Sequence, residues 1–334
     1  MSTHLFGLTS RTFKHSHAIG RAEFAGTGFR NPSDMAISPD GTVYVCNRSY
    51  ENRPDGVHVT VVTMDEEYVT EFGAYGEADG EFMWPTSIAL DSKGNVYLAD
   101  EWLNRISKFT SDGEFVSKWG TAGSGDGEIS GPAGLAIDAD DNILLVDSNN
   151  NRVQKFSLDG KYISQFGTKG SDDGQFNMPW GIGLDSEGHI YVSDWRNDRI
   201  QKFTPDGQWE ASIGSTGNGV GQLNRPNGVS VDKDGDIYVA DWMNNRVQVF
   251  APDGRYITEF HGEAVLSKWG RDKLASNPDM IRQRSLAFAN DPGYEQKLMR
   301  PCAVKIDSDG KIVIIDHTRN RLQVYRKEEE PALV

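Results

Sequence analysis

The sequence predicts an all-β fold, a six-bladed β-propeller. Three observations predict it. One block of residues recurs along the chain, each block reads as four short strands, and the N-terminal segment offers a strand that the last block lacks.

The recurrence is plainest in "NVYLADEWLNRISKF", "NILLVDSNNNRVQKF", "HIYVSDWRNDRIQKF", "DIYVADWMNNRVQVF" and "KIVIIDHTRNRLQVY", which align without gaps. Their aspartates are Asp100, Asp147, Asp194, Asp241 and Asp316. The first four are spaced by 47 residues and the last two by 75, which marks an insertion. A degenerate sixth copy, "TVYVCNRSYENRPDGVHVTVV", comes first, with Asn47 in place of the aspartate.

Within a copy, an apolar strand follows a proline ("PWGIGLD"). An acidic or glycine turn leads to a second strand ("HIYVSD"), and a polar turn to a third ("RIQKF"). A "PDG"-type turn then leads to a fourth strand ending in glycine ("WEASIG"). Such alternation between turn clusters is the strand signature. The last copy stops after its third strand, at "RLQVYRK", while "TFKHSHAIG" (12–20) reads as a fourth. Gly20 precedes Pro32 by the same interval as Gly73 precedes Pro85 and Gly167 precedes Pro179. Residues 12–20 are therefore expected to close the last blade and remove an open edge. Residues 1–334 read as one propeller domain, with 327–334 as a tail.

The "P-x-G-[IVL]-x-[IVL]-D" strand (Pro179, Gly181, Asp185), the Asp194 strand end and the "N-x-R-[VI]-Q-x-[FY]" turn resemble the NHL repeat family. The resemblance spans roughly residues 12–326. It implies a propeller and leaves function wide: relatives include protein- and RNA-binding modules and a lyase that cleaves peptidyl-hydroxyglycine. Related six-bladed propellers include lactonases.

The copies act as internal controls. The aspartate and the arginine five residues later recur, as in Asp194/Arg199 and Asp241/Arg246, so they read as a turn clamp. The acidic turns "DKDGD" and "DADDN" lack the length and distal glutamate of a calcium loop and read as hairpins. Residues that depart from the pattern are the functional candidates. The loops before the first strand and after the second share one face, and five of the eight tryptophans fall there: Trp84, Trp102, Trp180, Trp195 and Trp242. They either cap blade ends or wall a pocket. Arg48, Arg196, Asn227, Cys302 and Arg319 join them as candidate substrate-binding residues. His317, Asp34, Tyr50 and Glu101 are candidate acid–base residues, with an arginine holding an anionic group.

The stretch 262–300 reads as a partly helical insertion between blades 5 and 6, serving as a lid, a plug or a docking element. Its second helix is expected to start at Asn277 and Pro278. His15 and His17 alternate on the closing strand and are expected to face solvent. His261, His317, Cys302 and Asp34 lack metal-motif spacing, so no metal or cofactor is predicted; zinc and calcium stay open as minor alternatives. The family resemblance implies zinc only for the amidating lyase, whose spread histidine set is not matched here. No G-x-S-x-G elbow is present. A Cys302–His317 thiolate pair is weighed against an inert buried cysteine.

The net charge of −15 disfavours nucleic acid as a partner. No run is long enough for a membrane helix, and the start shows no signal peptide. Two cysteines give no disulfide framework. The expectation is a cytoplasmic enzyme of lyase or hydrolase type acting on a small anionic or aromatic substrate. A protein-interaction scaffold using the same rim is the alternative, and RNA binding comes third.

Overall fold

The computed structural model describes residues 11–23, 25–49, 54–287 and 293–328. These residues form six four-stranded antiparallel sheets. Their innermost strands contact one another in a ring, and Pro32–Ile37 touches both Pro85–Leu90 and Pro301–Ile306. In the fourth blade the order from the axis outward is Ile182–Leu184, Ile190–Asp194, Arg199–Phe203 and Trp209–Ile213. The others repeat it.

The ring closes as the sequence predicts. Thr12–Ile19 pairs antiparallel with Arg321–Glu328, from Thr12 opposite Glu328 to Ile19 opposite Leu322. That third strand runs to Glu328, so it absorbs the first two residues of the expected tail. Residues 329–334 lie outside the described set. His15 and His17 are half-buried rather than solvent-facing. They point inward from the strand: His15 lies edge-on against Tyr325, and His17 Nε2 meets the Met64 carbonyl.

Six apolar clusters sit between neighbouring blades, each drawing on two sheets. The recurring glycine that ends a fourth strand follows from this packing. Gly73 has φ +83°, and a Cβ there would lie 2.1 Å from Phe82 of the next blade. Gly20 stands in the same relation to Phe29.

The recurring Asp–Arg pair is a clamp. Asp194 accepts from the Asn177 amide, Asn197 Nδ2, Arg199 Nε and Gln201 Nε2 at 2.8–3.1 Å. Arg199 also donates to the carbonyls of Asp172 and Gln175. Burial pushes the Asp194 carboxyl up, and its hydrogen bonds pull against that. Four residues after each aspartate, Asn104, Asn151, Asp198, Asn245 and Asn320 adopt left-handed backbone. Each accepts from an amide of the following blade, as Asp198 does from Arg225 N at 2.8 Å. Blade 1 keeps the device in neutral form, with Asn47 donating to the carbonyls of Val45 and His58 and to Thr60 Oγ1. Asp194→Ala strands a buried guanidinium and is expected to cost about 3–5 kcal/mol in a denaturant titration, with Asp194→Asn costing less.

The acidic hairpin Asp232–Asp236 is filled from within the chain. Lys327 Nζ lies 2.8, 2.6 and 2.8 Å from Asp232, Asp234 and Asp236, and Arg11 Nε is 2.7 Å from Asp236.

The insertion forms two helices, α1 (Lys268–Ala275) and α2 (Pro278–Ala287). Ser267 caps α1 by accepting from Gly270 N and donates its own hydroxyl to the Gly20 carbonyl. Asn277 Oδ1 accepts from Asp279 N at the start of α2. Trp269 is buried in the cluster between blades 6 and 1, and its carbonyl accepts from Arg21. Glu66 accepts from the amides of both Gly20 and Lys268. The insertion thus straps the seam where the ring is joined.

Candidate functional site

Two sets of loops meet at one face: those leading into the innermost strands and those following the second strands. Between them lies a cavity of about 870 Å³, within the usual range for small-molecule sites. All five rim tryptophans line it. Trp84 and Trp102 meet with ring centroids 5.0 Å apart. Opposite them, Trp180, Trp195 and Trp242 run in series at 6.4 and 6.3 Å. Three arginines stack on these indoles: Arg48 on Trp84 at 4.9 Å, Arg225 on Trp195 at 4.5 Å and Arg300 on Trp242 at 5.1 Å. Guanidinium stacking of this kind stiffens the walls and brings positive charge to the mouth.

His317 and Cys302 line the cavity beside Arg48 and Asn227. His317 Nδ1 lies 2.9 Å from the Pro32 carbonyl. A carbonyl only accepts, so Nδ1 carries the proton, and in the neutral ring Nε2 offers a lone pair. Burial lowers the His317 pKa; the Pro32 bond opposes the shift, while the charges of Arg48 and Arg300 add to it. Cys302 Sγ donates to the carbonyls of Pro32 (3.2 Å) and Ser33 (3.3 Å). Burial raises its thiol well above the ordinary range. Cysteine and histidine therefore share the Pro32 carbonyl as acceptor, and neither is spent on the other as a thiolate pair would require. A reactive cysteine needs a depressed pKa, and this one is shifted the other way.

Other candidates fall elsewhere. Asp34 lies below the cavity in the neck of the channel, beside Lys305. It accepts from Ser87 Oγ at 2.5 Å and from the amides of Met35 and Ile88. It occupies the position held by Gly134, Gly181 and Gly228, where a Cβ would strike the adjacent blade. Its carboxylate is spent on joining blades 1 and 2. Glu101 sits behind Trp84, with Oε2 2.9 Å from Arg48 Nη2. Arg196 is exposed and lies 5.9 Å over Trp195, outside the cavity lining. Arg319 turns to the insertion, donating to the carbonyls of Lys297 and Tyr294. Tyr50 lies outside the described residues.

No described residue of 262–300 lines the cavity. Buried Trp269 and the Gly20–Ser267–Glu66 hydrogen bonds hold α1 at the seam between blades 6 and 1. Tyr75, Val57 and Thr86 line the cavity without having been singled out. Tyr75 had a signal. It replaces the small or polar residue, Ala122, Lys169 or Thr216, that other copies carry after the strand-ending glycine.

Among the described residues, no cluster of three or more His, Cys, Asp or Glu side chains is arranged to hold a metal ion. Among them too, no helix is long and apolar enough to cross a membrane.

The NHL repeat model matches residues 176–203 and 223–250. Those two segments, in blades 4 and 5, match the NHL repeat. A second family model, described as a six-bladed β-propeller, matches residues 93–169. No curated protein sequence matches the chain. Among solved structures, this propeller resembles a catalytically inactive virginiamycin B lyase from Staphylococcus aureus with quinupristin. Identity is 15%, the TM-score is 0.57, and 96% of this chain and 90% of that one are covered. A Bacteroides thetaiotaomicron protein of unknown function gives 20% identity and a TM-score of 0.65, covering 95% and 76%. A chain of a nidogen/laminin complex gives 18% and 0.54, covering 71% and 82%. At these identities the likeness is one of fold.

Proposed function

We propose that this propeller is a small-molecule enzyme of lyase or hydrolase type, working in the tryptophan-walled cavity. One observation carries the proposal: a histidine with an available ring nitrogen and an arginine share a cavity walled by five indoles. The indoles grip a flat, largely apolar substrate. His317 Nε2 takes a proton from the substrate or from a water, and Arg48 steadies the developing negative charge. The S. aureus lyase has this overall fold, and its name supports elimination over other chemistries. Two buried free cysteines suit a cytoplasmic setting.

The test is turnover and tryptophan-fluorescence titration with aromatic esters, lactones, hydroxy acids and quinupristin. Trp195→Ala is expected to weaken binding about tenfold or more. Binding that is indifferent to Trp180→Ala and Trp195→Ala, or no turnover of any compound, would overturn the enzyme reading.

One observation favours a second reading, a protein-binding rim. Trp102 and Met243 stand 55% and 46% exposed at the open mouth. Exposed indoles of that kind anchor protein interfaces.

A further inference from the structure

We propose that a shallow pocket between blades 2 and 3 binds a neutral, polyhydroxylated group, a sugar, carried on the molecule that fills the central cavity. This rests on the small-molecule reading above and specifies its substrate class.

The pocket has a volume of about 330 Å³ and is lined by Trp84, Glu101, Trp102, Asn104, Ser130 and Asn149. Trp84 and Trp102 also line the central cavity, so the two spaces share a wall. Blade 3 opens the passage between them. At its four rim positions it presents Gly131, Ala133, Ser148 and Asn149. The same positions in blade 2 hold Trp84, Thr86, Glu101 and Trp102, and in blade 4 Met178, Trp180, Trp195 and Arg196. Where its neighbours raise indoles, blade 3 leaves a trough.

Chemistry selects the occupant. No cation lines the side pocket, so an anionic arm gains nothing there. Glu101 already faces Arg48, so a cationic arm would meet a compensated carboxylate. Asn149 Nδ2 and Ser130 Oγ meet only at 3.5 Å, which leaves both with unused capacity. Hydroxyl groups donate and accept and so answer both, while the C–H face of a sugar ring covers the exposed face of Trp102. A peptide arm would seek backbone partners. The amides of Ser130, Gly131, Ser148 and Asn149 are already bonded within the fold.

The experiment is calorimetric titration of the full chain with 4-methylumbelliferone, its neutral glucoside and galactoside, and its glucuronide. A neutral glycoside is expected to bind about tenfold more tightly than the aglycone, and the glucuronide to show no such gain. The Ser130→Ala/Asn149→Ala variant is expected to abolish the gain and leave aglycone affinity within about twofold. Equal binding of aglycone and glycosides, or a gain that survives the double substitution, overturns the side pocket and leaves the central cavity standing. Failure of aglycone and glycosides alike counts against the central cavity, and the side pocket falls with it.

Discussion

Deleting residues 1–20 is expected to lower the melting temperature by at least about 10 °C. The deletion removes the whole outer strand of blade 6. Ile19 and Ala18 leave the core, and Phe13 leaves its edge-on contacts with Tyr238 and Phe260. Burial of a large apolar side chain contributes about 1.5–3 kcal/mol, and each ladder hydrogen bond about 1 kcal/mol net. The insertion also loses its anchor at Gly20. Even if half the strand's contribution were recovered by relaxation, a loss of about 5 kcal/mol remains. For a large domain each kcal/mol moves the midpoint by about 2–4 °C. Thermal melts followed by circular dichroism decide it. An unchanged midpoint would show that the strand pairing does not hold the ring.

Substituting His317 by Gln is expected to reduce turnover by about 10²–10⁴-fold, with substrate affinity changed far less. Glutamine can still donate to the Pro32 carbonyl, so the wall survives while the base is lost. The pH dependence has a definite sign. The folded-state pKa of His317 is lowered, so below its ordinary value of about 6.5 the unfolded chain binds more protons than the native one. This contribution to stability is present above about pH 6.5 and is lost as the pH falls below it. His317→Gln should therefore lose less stability than the parent between about pH 6.5 and 5. Turnover should persist below pH 6.5 and fall as the pH drops through the lowered pKa. Equal acid sensitivity of the two proteins, or unimpaired turnover, would remove His317 from its role.

Most of the fold was legible because it is written six times. A spacing of 47 residues, a strand-ending glycine and an Asp–Arg pair each recur, and each has a local cause in the structure: a ring that leaves no room for Cβ, and a carboxylate that gathers donors. The tryptophans and His317 were legible as departures from that pattern. What was not legible depends on direction and depth. Asp34 departs from the repeat as conspicuously as His317, yet its side chain points into the neck and is consumed by Ser87 and two amides. The insertion enters on the right face, but Trp269 and Ser267 find partners at the seam, a tertiary choice that loop length does not encode. The asymmetry of blade 3 is an absence of large residues, and absences attract no notice in a sequence.

The pairing of Thr12 with Glu328 has a consequence for how the chain is made. Within the propeller, the strand that emerges first finds its partner last. At about 5–20 residues per second, its apolar residues wait on the order of tens of seconds while the remaining blades are synthesised. During that interval Phe13 and Ile19 belong to a nascent strand without a sheet. Contacts this distant in sequence also slow folding. A ring joined in this way becomes native only after Arg321–Glu328 has been synthesised, so its window of vulnerability is set by translation of the intervening blades rather than by the speed of blade formation.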